Sequence, residues 1–178
     1  MSAALDKQEG TLPADSYRLL FPFVAGDLYA APTTGDLLHP RIEPDGRFVL
    51  DLNRGHRALL ASLEPTELSL PYLRIEPAAA RLARLAPVIL QADGIEPVGQ
   101  AQWFDPDSRR TLLLLYLDRP AVISGRTLAG RPIRYDIRAA SAGYVWVAKQ
   151  LEGDTDVYRV TPLPERLVLA VTPLAGAR

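Results

Sequence analysis

The chain has 178 residues, of which 48% are hydrophobic and 23% charged, with a formal net charge of −1 and no cysteine. A chain of this length buries roughly 70% of the surface its unfolded form exposes, so it builds a core without disulfides or metals. The composition excludes collagen-like, disordered and strongly cationic chains.

Residues 1–16 read as a flexible polar leader, because Met1-Ser-Ala-Ala-Leu-Asp-Lys-Gln-Glu-Gly10 lacks the apolar segment of a signal peptide. Residues 17–178 read as a single β-sandwich domain. The 16 prolines fall about every eleven residues, a spacing that suits short strands and turns rather than long helices. Strands are predicted at Tyr17–Val24, Asp27–Ala31, Arg47–Leu52, Arg57–Leu63 and Glu67–Ile75, then at Val88–Ala92, Val98–Phe104 and Thr111–Leu117. Further strands are predicted at Ala121–Ser124, Ile133–Arg138, Tyr144–Gln150, Asp156–Thr161 and Arg166–Val171. Ile133, Tyr135 and Ile137 alternate with Arg134, Asp136 and Arg138, whereas Leu112–Leu115 is a continuous apolar run suited to a strand buried on both faces. Glu76–Pro87 reads as a short Ala-rich helix, with proline in its first turn, helix formers inside and proline as a stop. His56–Leu63 is ambiguous between a strand and a second short helix. No repeat or linker divides the chain. The expected fold is all-β: a two-sheet β-sandwich with one short helix.

Charge is spread evenly, and Arg outnumbers Lys 18 to 2. The high arginine content reflects GC-rich coding, and with many prolines and no cysteine it also gives a thermophile-like composition. The nearest basic groupings, Arg109–Arg110 and Arg126/Arg131/Arg134/Arg138, are interrupted by Asp105, Asp107 and Asp136. They read as solvated strand faces, and no nucleic-acid partner is expected. No stretch reaches the ~18 apolar residues of a membrane span.

Asp45-Gly46-Arg47-Phe48-Val49-Leu50-Asp51-Leu52 is a turn followed by a strand, and a longer stretch runs Leu113–Gly125, then Tyr135-Asp136-Ile137, then Ala142-Gly143-Tyr144-Val145-Trp146. This order resembles a loose group of uncharacterised secreted or lipid-anchored β-sandwich proteins of heat- and radiation-resistant bacteria. In that group a "GW"-type strand comes last; here Gly143 is followed by Tyr144, and Trp146 lies two residues later. The resemblance implies a sandwich and an extracytoplasmic location, periplasm or cell surface, with the leader following a removed signal or lipid anchor; the alternative reading of the same leader is the N-terminus of a cytoplasmic protein. It carries over no functional residue.

Chemistry-bearing residues are sparse. Absence of Cys removes disulfides, thiolate nucleophiles and Cys-ligated zinc. His39 precedes Pro40, and His56 lies in the turn Asn53–Arg57; neither belongs to a spaced ligand set. Ser124 and Ser141 lie outside any nucleophile elbow. Asp105-Pro106-Asp107-Ser108 and Asp154-Thr155-Asp156, the latter with Glu165 at its twelfth position, resemble calcium loops but miss required ligands and the glycine. They read as turns in which Asp caps its own backbone. There is no glycine-rich phosphate loop. Trp103, Phe104, Tyr144 and Trp146 are the dense aromatic positions, read as core or as an exposed binding strip.

These readings predict no catalytic, cofactor-binding or metal-binding residues. The function expected is that of a non-enzymatic extracytoplasmic binding or structural protein acting on an unknown protein or envelope component. One alternative is a module holding a small apolar ligand between the sheets. Another is a hydrolase using Asp105, Asp107 or His56.

Overall fold

The computed structural model describes residues 2–7, 17–20, 23–25, 42–43, 47–49, 61–62, 73–91, 97–127 and 131–173. They form β1 (Ser2–Lys7), β2 (Tyr17–Leu20), β3 (Phe23–Ala25), β4 (Arg47–Val49), β5 (Ala61–Ser62), β6 (Arg74–Glu76), β7 (Arg81–Leu85) and β8 (Val88–Gln91). The longer strands follow: β9 (Pro97–Asp105), β10 (Arg110–Leu117), β11 (Ala121–Thr127), β12 (Ile133–Ala139), β13 (Gly143–Glu152), β14 (Thr155–Thr161) and β15 (Val168–Pro173). Among the described residues there is no helix. The chain is all-β.

Hydrogen bonding joins the strands into one mixed sheet with the main order β4-β1-β15-β9-β10-β13-β14-β12-β11-β6. The expected two separate sheets are therefore not distinguished by their pairing. Strand β7 pairs with β10 and also with β3 and β5, and β8 bridges β9 and β2. Only β1/β15 and β12/β14 run parallel among the described pairs. The β13–β14 hairpin closes on Gly153-Asp154, with Glu152 opposite Thr155 and Gly153 at φ 64°. A positive φ at the first central position is the geometry of a two-residue turn that matches strand twist, and glycine adopts it without Cβ strain. Strand β14 then inserts between β13 and β12, parallel to β12.

Two cores lie on opposite faces of this sheet. The first gathers Phe48, Leu85, Ile89, Trp103, Leu112, Leu114, Trp146 and Leu169, among others. The second gathers Leu82, Leu115, Leu117, Ile123, Tyr135, Ile137 and Val147, among others. Strands β10 and β13 supply both: Leu112 and Leu114 face the first core while Leu115 and Leu117 face the second, and Trp146 and Val147 divide likewise. This is why Leu112–Leu115 is an uninterrupted apolar run, as expected of a strand with no wet face. Among the described residues, strand β12 contributes to the second core only. Tyr135 and Ile137 are buried while Arg134 and Arg138 are exposed, as their alternation predicts.

The expected Ala-rich helix over 76–87 is replaced by the end of β6, a turn and β7. The Ala80 N–H donates to the Pro77 carbonyl at 2.9 Å within that turn. A helix would bury one stripe containing Leu82 and Leu85. As a strand, the same residues bury both faces, with Leu82 in the second core and Ala83 and Leu85 in the first. Helix propensity amounts to a few tenths of a kcal/mol per residue, whereas a fully buried leucine contributes about 1.5–3 kcal/mol; burial decides. Within the segment read as a leader, Ser2–Lys7 form β1: Leu5 pairs in register with Leu169, and Ala3 with Phe48. The strands expected at Asp27–Ala31 and most of Arg57–Leu63 and Glu67–Ile75 lie outside the described residues, as does the ambiguous segment before Ala61.

Candidate functional site

One register row crosses the sheet from core to solvent. It runs Leu169 (β15), Trp103 (β9), Leu112 (β10), Ala148 (β13), Arg159 (β14), Asp136 (β12), Ser124 (β11) and Arg74 (β6). Residues opposite one another on paired strands share a face. The face that holds the first core therefore continues past β14 as a polar surface. There it forms an open groove of about 720 Å³ lined by Arg74, Ser124, Arg126, Arg134, Asp136, Arg138 and Arg159, with Gly125 and Tyr135.

Five guanidinium groups from four strands meet in this groove. Three have carboxylate partners. Arg138 Nε donates to Asp136 Oδ1 at 2.9 Å and Arg159 Nε to Asp136 Oδ2 at 3.5 Å. Glu152, at the end of β13, accepts from Arg134 Nη2 at 2.5 Å and closely from Arg159 Nη1. Arg74 and Arg126 have no carboxylate partner among the described residues. Among the described residues the groove therefore carries an excess of positive charge, on a chain whose net charge is −1.

The electrostatics follow from this pairing. The hydrogen bond from Arg138, with further help from Arg159, holds the Asp136 carboxyl below its ordinary value against the opposing effect of burial. Arg159 and Arg134 lower Glu152 in the same way, and Glu152 in turn raises Arg159. Ser124 lies directly across from Asp136. A carboxylate whose proton affinity has been lowered is a weak general base near neutral pH, so this Ser–Asp juxtaposition is poorly suited to activating the hydroxyl. What the arrangement does well is donate charged hydrogen bonds to an oxyanion.

The other residues singled out from sequence are placed elsewhere. Trp103 is 1% exposed and Trp146 7% exposed, and their rings meet edge-on at 5.6 Å inside the first core. Tyr144 packs half-buried against that core and meets Tyr116 edge-on at 5.0 Å, while Phe104 is half-buried on the opposite face of β9. The four do not form a common exposed strip. Asp105 accepts from the backbone N–H groups of Asp107 and Ser108 at 3.0 and 3.3 Å, and from the Ser108 hydroxyl, so it caps the β9–β10 turn. Burial raises its pKa, but these bonds and Arg110 lower it further, leaving the carboxyl below its ordinary value. Asp107 pairs with Arg166 at 3.2 Å. The buried Asp156 is engaged by Lys149 at 3.0 Å and Arg131 at 3.7 Å, and Asp154 stands in the β13–β14 turn. Among the described residues no three His, Asp or Glu side chains are grouped as metal ligands would be. His39 and His56 lie outside the described residues.

Sequence reasoning had placed Arg126, Arg134 and Arg138 on solvated faces and missed their convergence with Arg74 and Arg159. Alternation in β12 marked three of the groove's side chains. Nothing in the local pattern marks β14 as the parallel neighbour of β12, and that pairing brings Arg159 to Asp136. Comparison with family models, with curated proteins and with solved structures returns no match.

Proposed function

We propose that the protein is a non-enzymatic binding module whose working surface is the arginine-lined groove, and that its partner presents anionic groups there. The observation that carries this reading is the pair Arg74 and Arg126, which among the described residues leave the groove cationic after Asp136 and Glu152 have taken the other three arginines. Guanidinium forks recognise carboxylate, sulfate and phosphate oxygens through parallel hydrogen bonds. A groove of this lining does not favour the apolar-ligand alternative. Its aromatic member, Tyr135, has its ring stacked on Tyr158 at 5.0 Å in the second core, so nothing here supports base stacking by nucleic acid. The extracytoplasmic sandwich belongs to the same proposal, with support from the resemblance at Asp45–Leu52 and Leu113–Trp146.

Retention on an immobilised sulfated polysaccharide tests the reading. Because the whole chain is slightly acidic, retention at physiological salt must come from a local cationic surface. The wild type is expected to be retained, and the double variant Arg74→Glu/Arg126→Glu to pass through. Equal elution of the two proteins would overturn the assignment of the groove. Loss of retention in a folded His56→Ala/Asp105→Asn variant would return the hydrolase alternative to consideration.

A further inference from the structure

Resting on the groove reading, the geometry points to a seat for a phosphomonoester dianion formed by Arg74, Ser124 and Arg126. Arg74 on β6 lies directly opposite Ser124 on β11. Arg126 follows two residues later on the same face of β11, diagonal to Arg74. Opposite side chains on paired strands start ~5 Å apart and diagonal ones ~7–8 Å apart, within reach of long side chains. Two guanidinium forks and one hydroxyl can therefore converge on a single group, and all three residues line the same groove.

Charge and shape select the ligand. Arg74 and Arg126 supply two positive charges without carboxylate partners among the described residues. A phosphomonoester carries about −1.5 to −2 at pH 7 and three acceptor oxygens in a tetrahedral array. That array accepts from three donors carried by two neighbouring strands, Arg74 on β6 and Ser124 and Arg126 on β11. A planar carboxylate carries one charge and two in-plane oxygens, and it satisfies a single fork. The groove volume of about 720 Å³ exceeds what one phosphate occupies and falls in the range of small-molecule sites, leaving room for the polar body that bears the phosphate.

A second observation points the same way. Arg126 stands directly opposite Arg134 across the β11–β12 ladder. Like charges in that position destabilise a sheet. Arg134 is held by Glu152, and Arg126 faces it without a counter-charge among the described residues. An anion bound beside Arg126 supplies that counter-charge.

The test is calorimetric titration of the full chain with glucose 6-phosphate, glucose and glucuronate, alongside sedimentation with vesicles containing phosphatidic acid. Saturable binding of glucose 6-phosphate without binding of glucose or glucuronate is the expected result. Capture by phosphatidic acid vesicles in place of the soluble phosphate also supports the seat and identifies a lipid as the source of the same group. In either arm Arg74→Gln and Arg126→Gln should each weaken binding by about 10–100-fold, the effect of one charge-assisted hydrogen bond. Ser124→Ala should weaken it less, and Arg119→Gln, outside the groove, should leave it unchanged. Arg74 and Arg126 are exposed, and an unchanged thermal midpoint would confirm that their variants fold. Equal binding of glucuronate, or phosphate binding indifferent to these variants, would overturn the seat. Retention on sulfated polysaccharide that depends on Arg74 and Arg126, without saturable phosphomonoester binding from either source, would overturn the seat while leaving the groove reading standing. Absence of both would overturn both.

Discussion

Two halves of one sheet face meet at a single strand boundary. At β13, Ala148 is fully buried beside Trp146 in the first core. One strand further, its register partner Arg159 is held by Asp136 and Glu152 in the open groove. Backbone pairing is continuous across this boundary, so the difference comes from what lies over each half. Over the first half, Phe48, Leu85 and Ile89 pack against the row's own Leu169, Trp103, Leu112 and Ala148. Over β12 and β11 the corresponding positions face the groove. A covered face demands apolar side chains because a buried, unpaired charge is very costly. An open face tolerates a concentration of like charge at the modest energies typical of exposed groups. The apolar half is where stability concentrates, and the polar half has the freedom to carry a binding surface.

The largest expected effect comes from breaking that division. Ala148→Arg places a long charged side chain in fully buried space next to Arg159. It should destabilise the chain by more than about 4 kcal/mol, through overpacking and an uncompensated charge. Loss of cooperative unfolding in urea would show this; a stable Ala148→Arg protein would mean that the first core is open at β13. Next in size is Trp103→Ala, which removes the ring lying between Phe48 and Trp146. The expected cost is about 3–5 kcal/mol, and the same holds for Trp146→Ala. Chemical denaturation giving less than ~1 kcal/mol for either would show an exposed indole and revive the aromatic-strip reading.

Acid should act on carboxyls held by charged or backbone partners, two of them beside the groove and two in the turns that flank β10. The carboxyls of Asp136, Glu152, Asp105 and Asp118 all lie below their ordinary values in the folded chain. A depressed carboxyl stabilises the fold fully above its unfolded pKa of about 4, and that contribution is lost as pH falls through the lower folded value. Urea midpoints should therefore fall between pH 7 and pH 3. The fall should be smaller in Asp136→Asn, which has already lost one such carboxyl. An equal fall in both proteins would assign the acid sensitivity elsewhere.

The smallest effect has the opposite sign. Arg126→Thr removes the like-charge pair with Arg134 and places a β-branched residue in a strand. It should stabilise the chain by a few tenths of a kcal/mol, even as it weakens binding in the groove. Stabilisation together with lost binding is the mark of a residue retained for function. A destabilised variant would instead make Arg126 a structural residue.

The all-β class, the strands from Val88 to Val171 to within a few residues, and the faces of β12 were legible in the sequence. Those properties follow from period-two alternation and turn chemistry, which act over neighbouring residues. Asp105 as a turn cap was legible for the same reason. The rest was set by packing and pairing between distant segments. Residues 81–85 have helix-forming composition but become β7, because two cores claim alternate sides of the segment. Ser2–Lys7 look polar and mobile in isolation, yet they find partners in β15 and β4, far along the chain. The groove depends on the same kind of long-range pairing. Arg74 and Arg159 are 85 positions apart, and they meet in one groove because β14 inserts beside β12 and β6 pairs with β11. Alternation specifies which face a side chain takes, but strand order specifies which side chains share that face, and strand order is set by burial of the whole chain.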